Sequence, residues 1–371
     1  MATILIPTIA RDVHAAAVAL ALEQRGHRPI RWFCADFPEQ CSISMSPDGD
    51  APTQLAVRDA HGVLFDTLPD IYWNRRLSPP VLGPGLPEGD RQFALRESQV
   101  LLSGALGLAS QHAFAVNDVH RAGRAENKVL QLAAARELGF TLPDTLISNE
   151  PARIRRFLRE HERGGAVFKS FRPVTWESSD CLAMLFTARI TEAMLPDDAL
   201  LRLAPGIFQA CVPKAHELRI TCMGDELIAA RLDSQATPTG KTDWRVAQLS
   251  ELSITEAELP AELQQRCRAL LRRLGLVFGC IDVIVTPEGE HVFLEINQMG
   301  QFLWVEEMCP AVPMLQTFCE FLLSGDARFR RRPGPAKGPA YADVRSAALA
   351  LLDAERDLHR QPEHDSHVVY E

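Results

Sequence analysis

Two carboxylates and an amide near the C-terminal third carry the clearest chemistry in this chain: Asp282, and then Glu295 and Asn297 in the run VFLEIN. Ile281 to Thr286 and His291 to Ile296 are rich in branched apolar residues and flank the turn-forming Pro287-Glu288-Gly289, so they read as a β-hairpin. With Glu288-Gly289 as a two-residue turn, Asp282 faces Glu295, and strand alternation brings Asn297 to the same side. Three oxygen donors on a rigid hairpin suit Mg2+, a hard cation that takes a few carboxylates together with the phosphates of a nucleotide. Acidic residues at strand ends are also ordinary solvated positions. Inside VFLEIN, however, an unpaired carboxylate is costly to bury, and a divalent ion removes that cost.

Cations that could meet such phosphates recur along the chain, each with a plainer alternative. Lys169 sits in the apolar run AVFKS, where a buried ammonium needs an anion, whether a phosphate or a neighbouring carboxylate. Glu217 and Arg219 alternate in ELRI and share one face of a strand; a cross-strand ion pair is the competing explanation. Arg231 follows on the strand Leu227 to Leu232, alternating with Ala229 toward the presumed cleft. The polar stretch 233–245, DSQATPTGKTDWR, is the best mobile-loop candidate and ends at Arg245, which either fixes developing charge on a substrate or belongs to a plain surface loop. Arg75 and Arg76 in IYWNRR either grip an anion or form a basic turn, and neither is counted as catalytic.

The elements that must position these groups follow from periodicity and punctuation. Thr3 to Pro7 is a strand, Asp12 can cap a helix running to Gly26, and Arg28 to Phe33 is a second strand, an α/β opening with a parallel sheet. The turn PTIARD lacks the glycines of a dinucleotide fold. Cys41 to Asp70 reads as a meander with turns at PDGD and DAHG. Helices are expected over Arg91–Ser110, Glu126–Leu138, Pro151–Glu160 (capped by Asn149), Pro260–Leu274, Val312–Leu323 and Tyr341–His359. Strands are expected at Ala113–Asn117, Ala166–Ser170 and Gly206–Val212, and Leu142-Pro143-Asp144-Thr145 leads into another that ends at Ile147.

VFLEINQMGQFLWVE resembles the last strand and following loop of ATP-grasp carboxylate ligases, specifically the microviridin-type or graspetide synthetases that modify ribosomally made peptides. IYWNRR, RQFALRES, NKVLQLAAARELGFTLPDTLISNEP, VFKS and ELRITCMGDEL resemble the same family in the same order, so the likeness extends to about Gly325. It implies an α/β ATP-grasp fold with an N-terminal pre-ATP-grasp domain (1–120), a central subdomain (121–208) and a C-terminal nucleotide and metal subdomain (209–326), followed by a linker, extra helix and polar tail (327–371). It implies ATP and Mg2+ as cofactors. Lys128 and Lys169 would reach the phosphates, the backbone at Ala210, Cys211 and Val212 with Gln209 beside it would hold adenine, and Glu217 would lie near ribose. Arg219, Arg231 and Arg245 would serve the reacting phosphate and carboxylate, and Asp282, Glu295 and Asn297 the metal.

Two departures from the family pattern stand out. The segment after Lys169, SFRPVTWESSD, lacks a glycine-rich phosphate cover, which shifts weight to side chains such as Arg172, and Gln298 replaces the usual proline after the asparagine. The reaction implied is phosphorylation of a carboxylate and capture of the acyl phosphate by a hydroxyl or amine. In the peptide-modifying branch this joins Asp or Glu to Ser, Thr or Lys within one precursor peptide, whose leader would dock on the central subdomain. A ligase for amino acids or other small carboxylates, and a non-catalytic ATP-binding regulator, are the competing classes. A homodimer is the family expectation.

Composition narrows the field. A net charge of -9 over 371 residues argues against general nucleic-acid affinity. Nine cysteines without a C-x-x-C pair read as reduced core thiols, with neither zinc nor disulfides implied. No segment has the length of a membrane span and no signal peptide is evident, so a cytosolic location is expected.

Overall fold

The computed structural model describes residues 1–46, 54–171, 175–178, 181–184, 187–236, 244, 252–334 and 337–361. The chain begins with β1 (Thr3–Thr8), α1 (Val13–Gln24) and β2 (Arg28–Phe33), and β1 pairs with β2 in parallel from Thr3↔Arg28 to Thr8↔Phe33. Asp12 caps α1 as expected, accepting from the amides of His14 and Ala15 at 3.0 and 3.2 Å. A separate antiparallel sheet holds β3 (Cys41–Ser46), β4 (Gln54–Asp59) and β5 (Gly62–Phe65), with β4 and β5 joined at the DAHG turn; the PDGD turn lies outside the described residues. With β6 (Ile71–Trp73), α2 (Glu88–His112) and β7 (Phe114–Val116), the first sheet is complete, all parallel in the order β2-β1-β6-β7.

The helix expected over Glu126–Leu138 is α4 (Lys128–Glu137), started by Asn127, which accepts from the amides of Val129 and Leu130; a further short helix, α3 (Val119–Ala125), precedes it and was not expected. Ala125, Ala134, Ala135 and Phe140 of this region share a core with Leu218, Ile281 and Phe293, so α3 and α4 pack on the C-terminal sheet. Next come β8 (Thr145–Ser148), α5 (Pro151–Glu160), β9 (Ala166–Lys169), β10 (Thr175–Ser178), β11 (Cys181–Met184), β12 (Ala188–Ile190), α6 (Asp198–Leu203) and β13 (Gly206–Ala210). They form an antiparallel sheet in the order β12-β9-β13-β8, with β10 and β11 as a hairpin following Lys169. Asn149 does not cap α5: Glu150 holds the cap position, and the Asn149 amide donates to the Arg202 carbonyl at 2.9 Å.

The third sheet contains β14 (His216–Met223), β15 (Glu226–Leu232), β16 (Ile254–Ala257), then after α7 (Ala261–Leu274) β17 (Phe278–Val285) and β18 (His291–Asn297). Its order is β16-β15-β14-β17-β18, antiparallel throughout. The β17–β18 turn departs from expectation. The Thr286 amide donates to the Glu290 carbonyl at 2.9 Å, so the loop is the three residues Pro287-Glu288-Gly289, with Gly289 at φ +85°. A register shift between Asp282 and Val283 absorbs the extra residue, and Asp282 still faces Glu295.

The chain ends in α8 (Leu303–Met308), α9 (Met314–Ser324) and α10 (Tyr341–Glu355). The short α8 had no separate signal. Phe278, Phe302, Phe318 and Phe321 join the C-terminal sheet to the first sheet through one core that also contains Trp73 and Val116. Buried Glu306 accepts from the amides of Leu315 and Tyr341, tying α9 and α10 together. The His359 ring stacks on Phe33 and bonds Asp36, so the segment after α10 lies against the N-terminal sheet. Cys34, Cys41, Cys222, Cys267, Cys280 and Cys319 are free and buried.

Candidate active site

The register of β14, β17 and β18 sets Arg219, Asp282 and Glu295 side by side in one sheet. Arg219 Nη1 donates to both Asp282 oxygens, each at 2.9 Å, and Nη2 to the Gln301 carbonyl at 3.1 Å. Burial alone would lower the Arg219 pKa, but Asp282 outweighs it and the guanidinium is held charged above its usual range. Its Nε is buried with no hydrogen-bond partner among the described residues, a donor with capacity left over. Lys128, in the first turn of α4, pairs with Glu295. Each acid thus meets a cation of the chain. Asn297 does something else: its Oδ1 accepts from the amides of Met299 and Gly300 at 3.1 and 3.0 Å and folds the loop that follows β18.

A cavity opens between the central and C-terminal sheets. Lys169, Gln209, Ala210, Cys211, Val212, Glu217, Asp282 and Glu295, all named from the sequence, line it. Lys169 is the last residue of β9, and Val167, Ile284 and Leu294 supply apolar walls. Gln209 is fixed by a bond from its Nε2 to Thr145 Oγ1 at 3.0 Å. The Ala210 amide donates to the Asp144 carbonyl and the Cys211 amide to that of Gly165, both at 2.9 Å. Burial raises the Cys211 thiol above its usual pKa, against Arg189 and Lys214.

Lys214 and Arg189 also line the cavity and were missed in the sequence. Lys214 Nζ lies 2.8 Å from Glu217 Oε1, which Ser234 Oγ approaches at the same distance. Burial raises the Glu217 carboxyl above its ordinary pKa, and Lys214 and Ser234 offset part of this. In KAHELRI a lysine three residues before a glutamate was a visible signal for Lys214. Arg189 had none, since it reaches the cavity through a three-residue strand paired at Val167.

Other candidates fall elsewhere. Arg231 faces Leu218 across the ladder, and Leu218 belongs to the apolar core beneath α7. Cross-strand partners share a face, so Arg231 lies opposite the face bearing Glu217 and Arg219. Its Nε pairs with Asp233 at 2.8 Å on a half-exposed strand end, which corrects the expectation that it points into the cleft. Arg172 and Arg245 lie outside the described residues. Trp244, beside Arg245 in sequence, lines the cavity, with its ring 4.9 Å from that of Trp304. Arg75 is buried against Asp12, an internal partner, and makes no contact with the cavity lining. Arg76 Nε is 3.5 Å from the same carboxylate.

No family model and no curated protein matches the sequence. Solved structures do. A RiPP-associated ATP-grasp ligase of Chryseobacterium gregarium, in complex with ADP and a leader and core peptide, superposes with a TM-score of 0.79 at 25% identity over 91% of this chain and 100% of its own. The macrocyclase MdnC of Microcystis aeruginosa MRC, bound with precursor peptide MdnA, gives 0.74 at 28% identity over 87% of this chain and 99% of its own. This chain is an ATP-grasp ligase, similar to these RiPP-associated enzymes. The macrocyclase MdnB from the same organism aligns with the ligase at 28% identity and a TM-score of 0.72. Among the ligase's described residues no helix is long and apolar enough to cross a membrane.

Whether the hairpin fits a divalent cation can be tested on its donors. Among the described residues there is no cluster of three His, Cys, Asp or Glu side chains suited to a metal. The hairpin offers two carboxylates and one amide oxygen, all hard donors, a set too small for a closed structural site. Such a set suits Mg2+ shared with nucleotide phosphates, and the residues fit that ion.

Proposed function

We propose that this ligase binds ATP and Mg2+ in the cavity between the two sheets, phosphorylates Asp or Glu side chains of a ribosomally made precursor peptide, and closes ester or amide links to Ser, Thr or Lys. The observation that carries the reading is the arrangement of charge: Asp282 and Glu295 beside Arg219 and Lys128, with Lys169 on the same cavity. Carboxylates already matched with cations can take up a metal while the cations turn to phosphates, with little net charge left buried. Bound Mg2+ would neutralise and polarise the phosphates. Asp282 and Glu295 would hold it, and Asn297 would complete the set through the oxygen that now caps the loop.

The residues of the chain divide the remaining work. Lys128, Lys169 and Arg219 offset charge on the γ-phosphoryl group as it moves to the substrate carboxylate. Val167, Ile284 and Leu294 form an apolar slot for adenine. Since the Ala210 and Cys211 amides are taken by Asp144 and Gly165, the Val212 amide is the donor this stretch can offer the base. Glu217, held by Lys214 and Ser234, accepts from the ribose hydroxyls. Arg245, next to Trp244 at the cavity wall, is assigned to the substrate carboxylate. Attack of a substrate hydroxyl or amine on the acyl phosphate releases phosphate, and no covalent enzyme nucleophile is required.

The leader is assigned to the central sheet, where Arg153 and Arg156 of α5 and the exposed Met194, Leu200 and Leu203 offer a basic and apolar face to an acidic amphipathic segment. A second copy is assigned to α2, which exposes Phe93 at 67% and Val100 at 72%, two turns apart on one face. The ligase is assigned to the cytosol, where ATP and Mg2+ are supplied.

Mass spectrometry of candidate acidic precursor peptides, incubated with the protein, ATP and Mg2+, tests the reading. Loss of one water per bond, absent with Glu295→Gln, is the expected result. ADP release with amino acids or other small carboxylates, and none with any peptide, would move the assignment to a small-molecule ligase.

A further inference from the structure

We infer that Arg75, on the N-terminal sheet, is a positioning residue for the phosphate site: it clamps the loop after β18 and, through Gln301, sets the orientation of Arg219. In parallel α/β sheets the carboxyl ends of the strands are where ligands usually bind. Here the carboxyl ends of β1, β6 and β7 are occupied by the loop 298–303 of the same chain. Asn117, just past β7, donates to the Gln298 carbonyl at 2.9 Å. Arg75, just past β6, donates from Nη1 to the carbonyls of Met299 and Gly300 at 3.1 and 2.6 Å. His14, at the start of α1, accepts from the amides of Phe302 and Leu303 at 3.1 and 3.2 Å.

The Gln301 carbonyl of this run faces the C-terminal sheet and accepts from Arg219 Nη2 at 3.1 Å and from the Trp304 indole Nε1 at 2.9 Å. Arg219 Nη1 is at the same time bound to both oxygens of Asp282. The plane of its guanidinium is therefore fixed by two anchors, one in the strand β17 and one in the clamped loop. Arg75 holds the two carbonyls just before the second anchor while 1% exposed, braced by Asp12 Oδ2 at 2.8 Å from its Nε and Oδ1 at 3.2 Å from Nη2. A lysine cannot span an aspartate and two carbonyls at once. The loop's path requires glycine at 300, since a Cβ there would come within 2.7 Å of Phe278 and its φ of +58° disfavours other residues.

The inference depends on Arg219 binding phosphate, and the test separates the two claims. Arg75→Lys, Arg219→Lys and the double variant are compared by calorimetry with Mg2+ plus AMPPNP, and with adenosine, and amide hydrogen exchange is read on the ligand-free proteins. Arg75→Lys is expected to speed exchange at Met299–Leu303 at least about tenfold with β17 unchanged, and to weaken AMPPNP about tenfold with adenosine unaffected. In the Arg219→Lys background the further loss of AMPPNP affinity is expected to vanish. An equal loss in both backgrounds, unchanged AMPPNP binding, or a parallel loss of adenosine would overturn the positioning role while leaving Arg219 in place. Unchanged AMPPNP affinity in Arg219→Lys alone would remove the phosphate role and this inference with it. Should Arg75→Lys fail to fold, Asp12→Asn releases the same brace, and because it also lowers global stability, exchange at Met299–Leu303 is then read relative to that of β17.

Discussion

Two charged networks in this ligase use similar residues in opposite ways. At the cavity, Lys128, Lys169, Lys214 and Arg219 lie beside Glu295, Asp282 and Glu217, and Lys128 and Glu295 remain 23% and 20% exposed at the side chain. At the junction of the first and C-terminal sheets, Arg75 and Asp12 are both 1% exposed at the side chain and are closed by backbone groups of the loop 298–303. In the first network the Lys128–Glu295 pair is open to solvent, while Lys214–Glu217 and Arg219–Asp282 are largely buried behind it. The second can exchange nothing without separating the sheets. An ion pair near a cavity is therefore a poor guide to function until its access is known.

The largest effects separate the networks by readout. Glu295→Gln should cut ligase turnover by about a thousandfold or more, the scale on which a group that organises transition-state charge is lost, while the melting temperature changes little. Asp12→Asn should do the reverse in stability. Asparagine is as good a helix cap as aspartate, so α1 keeps its start, but Arg75 is left with an uncompensated buried charge, a loss of about 3–5 kcal/mol seen in chemical denaturation. If Asp12→Asn left stability intact, the junction would not be the closed network drawn above.

Much of the cavity network was legible because it depends on local rules. Strand alternation placed Glu217 with Arg219, and burial cost flagged Lys169 and Glu295 in apolar runs. Asp282 was matched to Glu295 through a turn read one residue too short; the register shift beside Val283 restored the pairing. The junction was not legible, since Asp12, Arg75 and Met299 lie in three distant segments and no periodicity links them. Arg75 and Arg76 looked equally suited to an anion or to a turn until burial distinguished them. Lys128 was assigned through the family resemblance, because a lysine opening a helix is otherwise an ordinary surface residue. Arg231 failed because alternation was counted from Ala229 without knowing which face α7 covers.

A smaller effect comes from pH and again belongs to the junction. His14 Nε2 accepts two amide bonds, so the ring is neutral, and burial followed by the Arg75 charge holds its pKa well below 6.5. The unfolded chain then binds a proton near pH 6.5 that the folded chain refuses until much lower pH, so stability rises with pH through that interval. Below about pH 6.5 the melting temperature of the wild type should fall more steeply than that of His14→Gln, which keeps an acceptor without a titrating ring. Burial would raise Asp12, but Arg75 and Arg76 hold it well below 3.8, so its contribution is present above that pH and disappears only in stronger acid. Glu217 has the opposite sign, since its raised pKa makes the ionised form a cost to folding above pH 4.5. Glu217→Gln should flatten that slope in a pH series of melting curves and weaken nucleotide binding by roughly tenfold, the worth of one charge-assisted hydrogen bond.

The smallest expected effect decides whether being in the right strand is enough. Arg231 shares the C-terminal sheet with Arg219, but on the face opposite Glu217; it is exposed, and its partner Asp233 is a half-buried neighbour. A surface pair of this kind contributes about 0–1 kcal/mol. Arg231→Ala should therefore leave nucleotide affinity and the rate of ADP release within about twofold of wild type, where Arg219→Ala removes the guanidinium held by Asp282 and Gln301 and should lower the rate at least a hundredfold. A loss with Arg231→Ala approaching that of Arg219→Ala would mean that substrate reaches around the edge of β15, and that the two faces of this sheet are not divided between chemistry and packing as the ladder implies.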